Sequence, residues 1–390
     1  MASTVSDLRA DLERRRTALS AALTDQAVEA VVIASESNFT YLTGYRTGSW
    51  ANKTFPLFLA FVPGERPTAV VGAGEVESIV TDGGELDVVA YNRPRPATSL
   101  GHAELDFIPH AAAQLADRLR AVGVRRLGIE QSLPYGPRLA GSVVSGLVER
   151  LPGVELVDVS PLMSRFRRVK SAYEADRMRT SAAVLARAYE LFTPRMRVGM
   201  SERELCRTFV AAASEAGADR VGYVGAIADT RRASLGGPTD RTWAAGDLLM
   251  FDACIEVEGY WADFCRIFGA RRVTAQQEAA YAELVEVVHR ARRTIAPGVP
   301  IAAVARGMVA GPDGSLYGRC GHGIGLDYTE PPSMHVEEQA LAEPGMTVCL
   351  EPNRTVPEVG NLTSEEEVLI TADGPELLSP PFPDTMHVVG

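Results

Sequence analysis

The chain has 390 residues, a length beyond which single hydrophobic cores stop growing, so two domains are expected. Its 46% apolar and 23% charged residues are typical of a soluble globular protein. The net charge of −11, with 39 basic residues scattered along the chain, argues against a nucleic-acid-binding surface.

The sequence carries no signal for export or for a membrane. Its first residues lack an apolar signal region, and no run approaches the roughly 18 apolar residues of a membrane span. The five cysteines show no CxxC spacing, which fits a reducing compartment better than a disulfide framework. We therefore expect a cytoplasmic protein with no membrane partner.

Helices and strands alternate in the first part of the chain. Helical periodicity covers residues 5 to 24, and further helices are predicted near 104 to 122 and 138 to 150. This alternation favours an α/β domain over residues 1–167 with a mostly parallel or mixed sheet. The segment VGAGEVES lacks the spacing of a phosphate-binding loop and is interpreted as a plain turn. The predicted strands are AVEAVVIAS, LFLAFVPG, PTAVVGAG, LDVVAYN, RRLGIEQ and VELVDVS.

A basic connector, SRFRRVKS, and a long amphipathic helix mark a change of character near residue 168. A second helix opens with Ser201 and Glu204 at capping-box spacing, and two more are predicted at about 275 to 295 and 300 to 309. Strands lie between and after these helices. The pattern predicts a second, α+β domain over residues 168–390.

The stretch GDLLMFDACIEVEGYWADFCRIF, residues 246 to 268, alternates as a β-hairpin with one apolar face. A tight reversal around Val257 and Glu258 would place Asp252 directly opposite Asp263, with Cβ atoms roughly 4.5–5.5 Å apart. Two carboxylates at that distance repel unless a cation lies between them. A pair of divalent ions about 3.5–4 Å apart would fit this gap.

Three later positions complete a candidate metal site: His322 in GRCGHGIGLDYTEPP, Glu351 in MTVCLEPN and Glu365 in NLTSEEEVLI. Carboxylate oxygens with one imidazole suit Mn²⁺, which we place first, and also Fe²⁺, Co²⁺ or Zn²⁺. The charges of four carboxylates and two divalent ions cancel if the histidine is neutral. Water bound between two such ions would have its pKa lowered from about 15.7 towards about 7.

These five positions match, in order and spacing, the pita-bread metallohydrolase family of prolidase, aminopeptidase P, methionine aminopeptidase and creatinase. The strings GDLLMFDAC, GHGIGLDYTEPP and LEPN resemble that family's own, and RRVKSAYEAD is similar to the connector that opens its catalytic domain. The first domain resembles the N-terminal domain of the prolidase, aminopeptidase P and creatinase branch through NFTYLTGY and its layout. The resemblance implies a pita-bread catalytic domain and, in this branch, a homodimer.

The resemblance also implies a role for each matching residue. Asp252 would bind one metal ion, Asp263 and Glu365 would bridge both ions, and His322 and Glu351 would hold the other. Glu351 would in addition be the general base that takes a proton from the attacking water.

Three positions depart from the peptidase pattern. Leu235 and Thr329 stand where the peptidases carry histidines, and Thr363 replaces an arginine two residues before Glu365. In the family those histidines position the scissile carbonyl and move protons. We therefore expect weaker cleavage of ordinary prolyl peptides.

Five further residues are candidates for substrate binding, and each also has a simpler structural interpretation. Tyr328 and Thr329 flank the altered position, although Tyr328 could equally be structural, and His335 could replace a missing histidine or lie in solvent. Arg231 and Arg232 could bind a substrate carboxylate, or belong to a solvated loop.

Four cysteines lie two positions from a candidate ligand, which in a strand means the same face. They are Cys254, Cys265, Cys320 and Cys349. We favour packing around a crowded site over direct ligation, because hard cations do not prefer thiolate.

The sequence therefore predicts a dinuclear metal-dependent hydrolase that cleaves an amide or related C–N bond in a small, amino-acid-derived or dipeptide-like substrate. Three alternatives stay open: an Xaa-Pro dipeptidase or aminopeptidase, a metal-dependent lyase on the same scaffold, and a non-catalytic binding protein. Substrate identity and native metal are not fixed by the sequence.

Overall fold

A computed structural model describes the chain at residues 5–51, 56–82, 85–91, 108–132, 141–232, 236–309 and 318–390. Its contacts divide the chain into two compact units, Met1–Arg167 and Arg168–Gly390. Each unit has its own hydrophobic core. The order of an α/β part followed by an α+β part is as predicted.

The first unit is built on a mixed six-stranded sheet with strand order β4-β3-β2-β1-β5-β6. The central strand β1 pairs antiparallel with β2 and parallel with β5, which makes the sheet mixed. The strands are β1 (Ala30–Ile33), β2 (Phe58–Phe61), β3 (Thr68–Gly72), β4 (Asp87–Tyr91), β5 (Arg126–Ile129) and β6 (Glu155–Asp158). The helices are α1 (Val5–Asp25), α2 (Glu36–Thr43), α3 (Val76–Asp82), α4 (Ile108–Val122), α5 (Gly141–Arg150) and α6 (Ser160–Arg168).

Three of these helices are missing from the sequence-based prediction. α2 and α3 have eight and seven residues, too few for a clear helical period. α6 extends through the basic stretch that the sequence assigns to a connector. The parts of the predicted helices before Ile108 and before Gly141 lie outside the described residues.

The second unit opens with two helices packed on a sheet of order β17-β9-β8-β7, in which β7, β8 and β9 are antiparallel and β17 pairs parallel with β9. Both helices begin at a serine that forms a capping box, Ser171 with Glu174 and Ser201 with Glu204. The elements are α7 (Ala172–Phe192), α8 (Glu202–Ala216), β7 (Arg220–Ile227), β8 (Leu248–Val257), β9 (Tyr260–Ala270) and, last in the chain, β17 (His387–Val389).

The second unit also contains a second pair of helices and a five-stranded sheet of order β11-β10-β12-β15-β16. β13 and β14 form a separate two-stranded hairpin. The helices are α9 (Ala275–Thr294) and α10 (Ile301–Met308). The strands are β10 (Gly321–Gly323), β11 (Glu330–Ser333), β12 (Thr347–Leu350), β13 (Asn353–Val356), β14 (Gly360–Thr363), β15 (Glu366–Thr371) and β16 (Gly374–Leu377).

The apolar face of the β8–β9 hairpin forms one core of this unit, as its alternation predicts. Phe251 packs against Tyr189, Phe192 and Phe209 of α7 and α8, and Phe264 packs against Tyr189, with ring centroids 4.6 to 6.5 Å apart. Burying each such ring contributes roughly 1.5–3 kcal/mol. The opposite, acidic face of the hairpin is thereby held in a fixed orientation.

Among the described residues, no helix is both long and apolar enough to cross a membrane.

Candidate metal centre

The β8–β9 hairpin has a different register from the one predicted. Asp252 lies opposite Cys265, and Asp263 lies opposite Cys254, so the two aspartates are diagonal neighbours and not directly opposed. The turn consists of Glu258 and Gly259, both with positive φ (52° and 91°), and not of Val257 and Glu258. Two-residue hairpins favour such turns because their twist matches that of the strands. The directly opposed pair predicted from the sequence is therefore wrong by two positions.

The diagonal arrangement still brings three carboxylates together. Carboxylate oxygens of Asp252, Asp263 and Glu365 all lie within 4.8 Å of one another. Each of these residues has a buried oxygen without a hydrogen-bond partner: Oδ1 of Asp252, Oδ1 of Asp263 and Oε1 of Glu365. Buried unpaired carboxylate oxygens are costly, so this group needs protons or cations.

Glu365 is held beside the hairpin by backbone hydrogen bonds. Its N–H donates to the carbonyl of Cys265 at 3.2 Å. Its own carbonyl accepts from the guanidinium of Arg266 at 2.6 Å. Because both partners belong to β9, the position of Glu365 follows from the hairpin that carries the two aspartates.

His322 lies on β10 with its imidazole buried. Nδ1 lies 3.0 Å from the carbonyl oxygen of Gly323, which makes it the protonated nitrogen, and leaves Nε2 as an acceptor 3.8 Å from Oε1 of Glu365. Burial and the positive charge of Arg319 lower the pKa of His322 to about 4, against a hydrogen bond to Gly323 that raises it. The ring is therefore neutral at pH 7, as a metal ligand must be.

Glu351 follows β12 and is half-buried. Its N–H donates to the carbonyl of Cys320 at 2.9 Å, which places it next to the strand that carries His322. Burial and the charge of Asp252 raise the pKa of Glu351 to about 8, against the opposing charge of Arg319.

The electrostatics of the cluster call for added positive charge. Burial raises the pKa of Asp252 to about 7, against a hydrogen bond with Asp263 that lowers it. Burial and neighbouring carboxylates raise the pKa of Asp263 and of Glu365 well above the ordinary range. Divalent cations would replace protons on these groups. The oxygen-rich donor set with one neutral imidazole fits Mn²⁺, Fe²⁺, Co²⁺ or Zn²⁺.

A further acid that the sequence-based charge count omits lies against the same cluster. Glu367 is fully buried, and its Oε2 accepts from the N–H of Asp263 at 3.3 Å. Burial raises its pKa to about 8, against that hydrogen bond and the charge of Lys170. The signal was present in the sequence, because Glu367 lies two positions after Glu365, and residues two apart in extended backbone share a face.

A second group of possible ligands also emerges from the structure. His322, Cys349 and Glu365 have donor atoms within 4.8 Å of one another, and all three are buried. Among the described residues Glu351 joins neither this group nor the group of three carboxylates.

The candidate substrate residues around β11 differ in exposure. The side chain of Tyr328 is 46% exposed, and its ring packs edge-on against Trp261 at 5.4 Å between centroids. Thr329 is half-buried directly before β11. His335 is also half-buried, and its Nδ1 accepts from the N–H of Glu337 at 3.2 Å, which ties the ring to its own loop.

The two arginines after β7 are already paired with carboxylates. Arg231 donates to Asp229 at 2.6 Å and to Asp247 at 2.8 Å. Arg232 lies 3.5 Å from the same Asp229. A substrate carboxylate would therefore compete with these internal partners.

Two of the positions that depart from the peptidase pattern can be located. Thr329 is described above, and Thr363 ends β14 as a buried residue whose carbonyl lies 3.3 Å from the sulfur of Cys265. Leu235 lies outside the described residues.

All five cysteines are buried free thiols. Burial and the charges of neighbouring acids raise the pKa of Cys254, Cys265 and Cys349 well above the ordinary value.

Comparison with known proteins bears on both units. Residues 15–169 match the Creatinase/Prolidase N-terminal domain, and residues 176–372 match metallopeptidase family M24. The chain is 26% identical over 358 residues to the uncharacterized peptidase YqhT of Bacillus subtilis, covering 89% of this chain and 92% of that protein. It is 25% identical over 264 residues to the Xaa-Pro dipeptidase of Pyrococcus horikoshii, covering 66% of this chain and 74% of that protein.

A solved structure shares the fold across both units. The X-Pro aminopeptidase from Thermotoga maritima superposes with a TM-score of 0.78 at 16% identity, covering 96% of this chain and 99% of that one. The fold and family implied by the sequence motifs are thereby confirmed. With a creatinase/prolidase-type domain at its N-terminus and the M24 match over half its length, this chain belongs to metallopeptidase family M24, the metal-dependent hydrolases of the prolidase, aminopeptidase P and creatinase type.

Proposed function

We propose that this chain is a dinuclear metal-dependent hydrolase that cleaves an amide or related C–N bond in a small, amino-acid-derived substrate. The observation that carries the proposal is the group formed by Asp252, Asp263 and Glu365. Each residue has a buried carboxylate oxygen without a hydrogen bond. Carboxylate oxygens of the three residues lie within 4.8 Å of one another. Three such oxygens are stable together only when protons or cations neutralise them.

In this proposal five side chains hold the ions. Asp252, Asp263 and Glu365 would hold ions on the hairpin side, and His322 and Glu351 would hold ions on the side of β10 and β12. When bound, two divalent ions supply Lewis acidity and lower the pKa of water towards neutrality. Manganese is the first choice, with iron, cobalt or zinc as alternatives.

Glu351 is the proposed general base. Its carboxylate is half-buried close to Asp252, and a carboxylate held in the site can accept a proton from water. It takes a proton from water as the water oxygen bonds to the carbonyl carbon. The same carboxyl then returns the proton to the nitrogen as the C–N bond breaks, so the amine leaves neutral.

The proposed substrate is small and is not a standard prolyl peptide. Thr329 offers a hydroxyl where the related peptidases have an imidazole, so it can donate a hydrogen bond but cannot shuttle a proton at neutral pH. Tyr328 and His335 are the aromatic candidates for substrate contact. Arg231 and Arg232 would contribute only by exchanging an internal carboxylate for the carboxylate of the substrate.

The proposal has three further parts. The division into residues 1–167 and 168–390, with catalysis in the second part, is supported by the two compact units. The cytoplasmic location is inferred from the sequence, and the homodimer is implied by the family resemblance alone.

A second candidate function is cleavage of Xaa-Pro dipeptides. It is favoured by the 25% identity to a protein named Xaa-Pro dipeptidase. The two candidates share the metal centre and differ in substrate, so one assay separates them.

The test is turnover by the purified chain loaded with Mn²⁺, measured on Xaa-Pro dipeptides, other dipeptides and N-acyl amino acids. We expect turnover of at least one non-prolyl amide, with Xaa-Pro dipeptides slower by about 10²-fold or more, on the usual size of acid–base contributions. Xaa-Pro turnover at the higher rate would favour the second candidate.

Two variants test the roles within the site. Glu351→Gln should lower kcat by about 10²–10⁴-fold on any substrate that is turned over. Glu337→Gln is the matched control, because this exposed glutamate lies outside the metal cluster. Equal kcat in the unaltered chain and in Glu351→Gln would remove the proposed base.

A further inference from the structure

Cys349 lies in a row of side chains that cross three strands. His322 of β10 is paired with Cys349 of β12, and Cys349 is paired with Glu367 of β15. Directly paired residues of neighbouring strands project from the same face of a sheet. The thiol therefore faces the same side as the imidazole and the buried acid.

The sulfur is close to two other donor atoms. Sγ of Cys349, an oxygen of Glu365 and a ring nitrogen of His322 lie within 4.8 Å of one another, and the three residues are at most 4% exposed. Oε1 of Glu365 is buried without a hydrogen bond and lies 3.8 Å from Nε2 of His322. The thiol of Cys349 is also hydrogen-bonded to the carboxylate of Glu365. A divalent ion held by these three donor atoms would take the place of the thiol proton.

The neighbouring thiols are engaged differently. The sulfur of Cys254 accepts from the N–H of Tyr223 at 3.0 Å, and the thiol of Cys265 donates to the carbonyl of Thr363 at 3.3 Å. Both sulfurs therefore have backbone partners. Of the five cysteines, all within the described residues, Cys349 is the one that joins a group of possible ligands.

We infer that Cys349 supplies a sulfur ligand to the ion held by His322 and Glu365, an inference that rests on the proposed metal-dependent function. On binding, the S–H bond is replaced by a sulfur–metal bond and the proton is released to solvent. The two ion positions then differ in chemistry. The position at Asp252 and Asp263 offers oxygen alone, whereas the position at Cys349 favours thiophilic ions such as Zn²⁺, Co²⁺ or Cd²⁺ over Mn²⁺.

The first test uses the unaltered full-length chain titrated with two equivalents of Zn²⁺. X-ray absorption at the zinc edge separates sulfur from lighter ligands, because zinc–sulfur distances are about 2.3 Å and zinc–nitrogen or zinc–oxygen distances about 2.0–2.2 Å. We expect a sulfur shell averaging half a sulfur atom per zinc. Two bound zinc ions with nitrogen and oxygen shells alone would overturn sulfur ligation and leave the proposed function standing. A chain that binds no zinc would overturn both.

The second test assigns the sulfur. The Cd²⁺-loaded chain should show a thiolate-to-metal absorption band in the ultraviolet, which Cys349→Ser removes and the matched variant Cys265→Ser retains. Cys349→Ser should also lower the affinity for Cd²⁺ about tenfold or more, with little change for Mn²⁺. A band that survives in Cys349→Ser would overturn the assignment. If that variant does not fold, the zinc spectrum of the unaltered chain still decides the question.

Discussion

At the scale of single residues, burial and neighbouring charges together set the protonation of the acidic cluster. Asp252, Glu351 and Glu367 have pKa values of about 7, 8 and 8, each raised chiefly by burial. In the unfolded chain the same groups titrate near 4. Without metal, the folded chain therefore holds protons that the unfolded chain has lost, and folding favours the protonated cluster.

The metal-free chain should accordingly lose stability as the pH rises from 6.5 to 8. In this window the unfolded carboxylates are already ionised, whereas the folded cluster releases its protons and gains repulsion, so the free energy of unfolding falls. His322 acts in the opposite sense only below about pH 6.5, because its folded pKa of about 4 lies below its unfolded value. Urea unfolding in the presence of a chelator, at pH 6.5 and pH 8, measures the effect.

The control for this prediction is Asp252→Asn, which removes one of the titrating acids and should give a shallower pH dependence. Saturating Mn²⁺ should remove the decline in the unaltered chain, because the ions bind the ionised carboxylates. A metal-free chain whose unfolding free energy rises over this window would contradict the account.

Sequence alone could nominate Asp252, Asp263, His322, Glu351 and Glu365, because each stands in a long motif. It could not nominate Cys349 as a member of a ligand group. Same-face spacing selects several cysteines equally, and the choice between ligation and packing depends on where each sulfur finds a partner. That information exists only once the strands are paired.

At the scale of elements, the alternation of β8 and β9 predicted the hairpin and its apolar face. The register was mispredicted because it depends on which two residues take positive φ in the turn. Gly259 was the available signal, since glycine is the residue that adopts such a conformation without strain. A reversal centred one residue earlier moves every cross-strand pair by two positions.

The turn should therefore be sensitive to substitution at its glycine. Gly259→Ala forces a side chain into a backbone with φ of 91° and should destabilise the chain by about 1–2 kcal/mol. Gly237→Ala is the matched control, because an added Cβ there meets no atom within 4 Å and the backbone is not left-handed. Thermal unfolding of both variants checks the difference. Equal melting temperatures would mean that the turn tolerates alanine.

A buried ion pair connects the first residue of β11 to Lys170 in the second unit. Nζ of Lys170 lies 2.5 Å from Oε1 of Glu330, and both side chains are 1% exposed. Lys170→Met removes the ammonium while leaving the carboxylate buried, and should cost about 3–5 kcal/mol of unfolding free energy. The double variant Lys170→Met with Glu330→Gln should recover part of this loss.

Urea unfolding separates a buried pair from an exposed one. Arg187→Met removes an exposed pair with Glu190, whose side chains are 58% and 65% exposed, and should cost less than about 1 kcal/mol. Similar losses in the two single variants would mean that burial adds nothing to the pair of Lys170 and Glu330.

At the scale of the whole molecule, the chain consists of two units with separate cores, and the proposed ions belong to the second alone. The prediction of two domains rests on the length of the chain and on the change of character near residue 168. The mixed sheet of the first unit was also foreseeable, whereas its strand order was not, because pairing between distant strands leaves no local pattern in a single sequence.

Calorimetry should resolve two unfolding transitions, of which metal raises only one. Ligands that bind the folded state stabilise it by mass action, by about 2.7 kcal/mol for each site at a concentration of 100 Kd. With saturating Mn²⁺, the transition of residues 168–390 should move to higher temperature while that of residues 1–167 stays in place.

Two variants identify the transitions. Leu115→Ala, at a fully buried position of the first core, should cost about 2–5 kcal/mol in the metal-insensitive transition, and Asp263→Asn should abolish the metal-dependent shift. One cooperative transition that moves as a whole with metal would show instead that the two units unfold together.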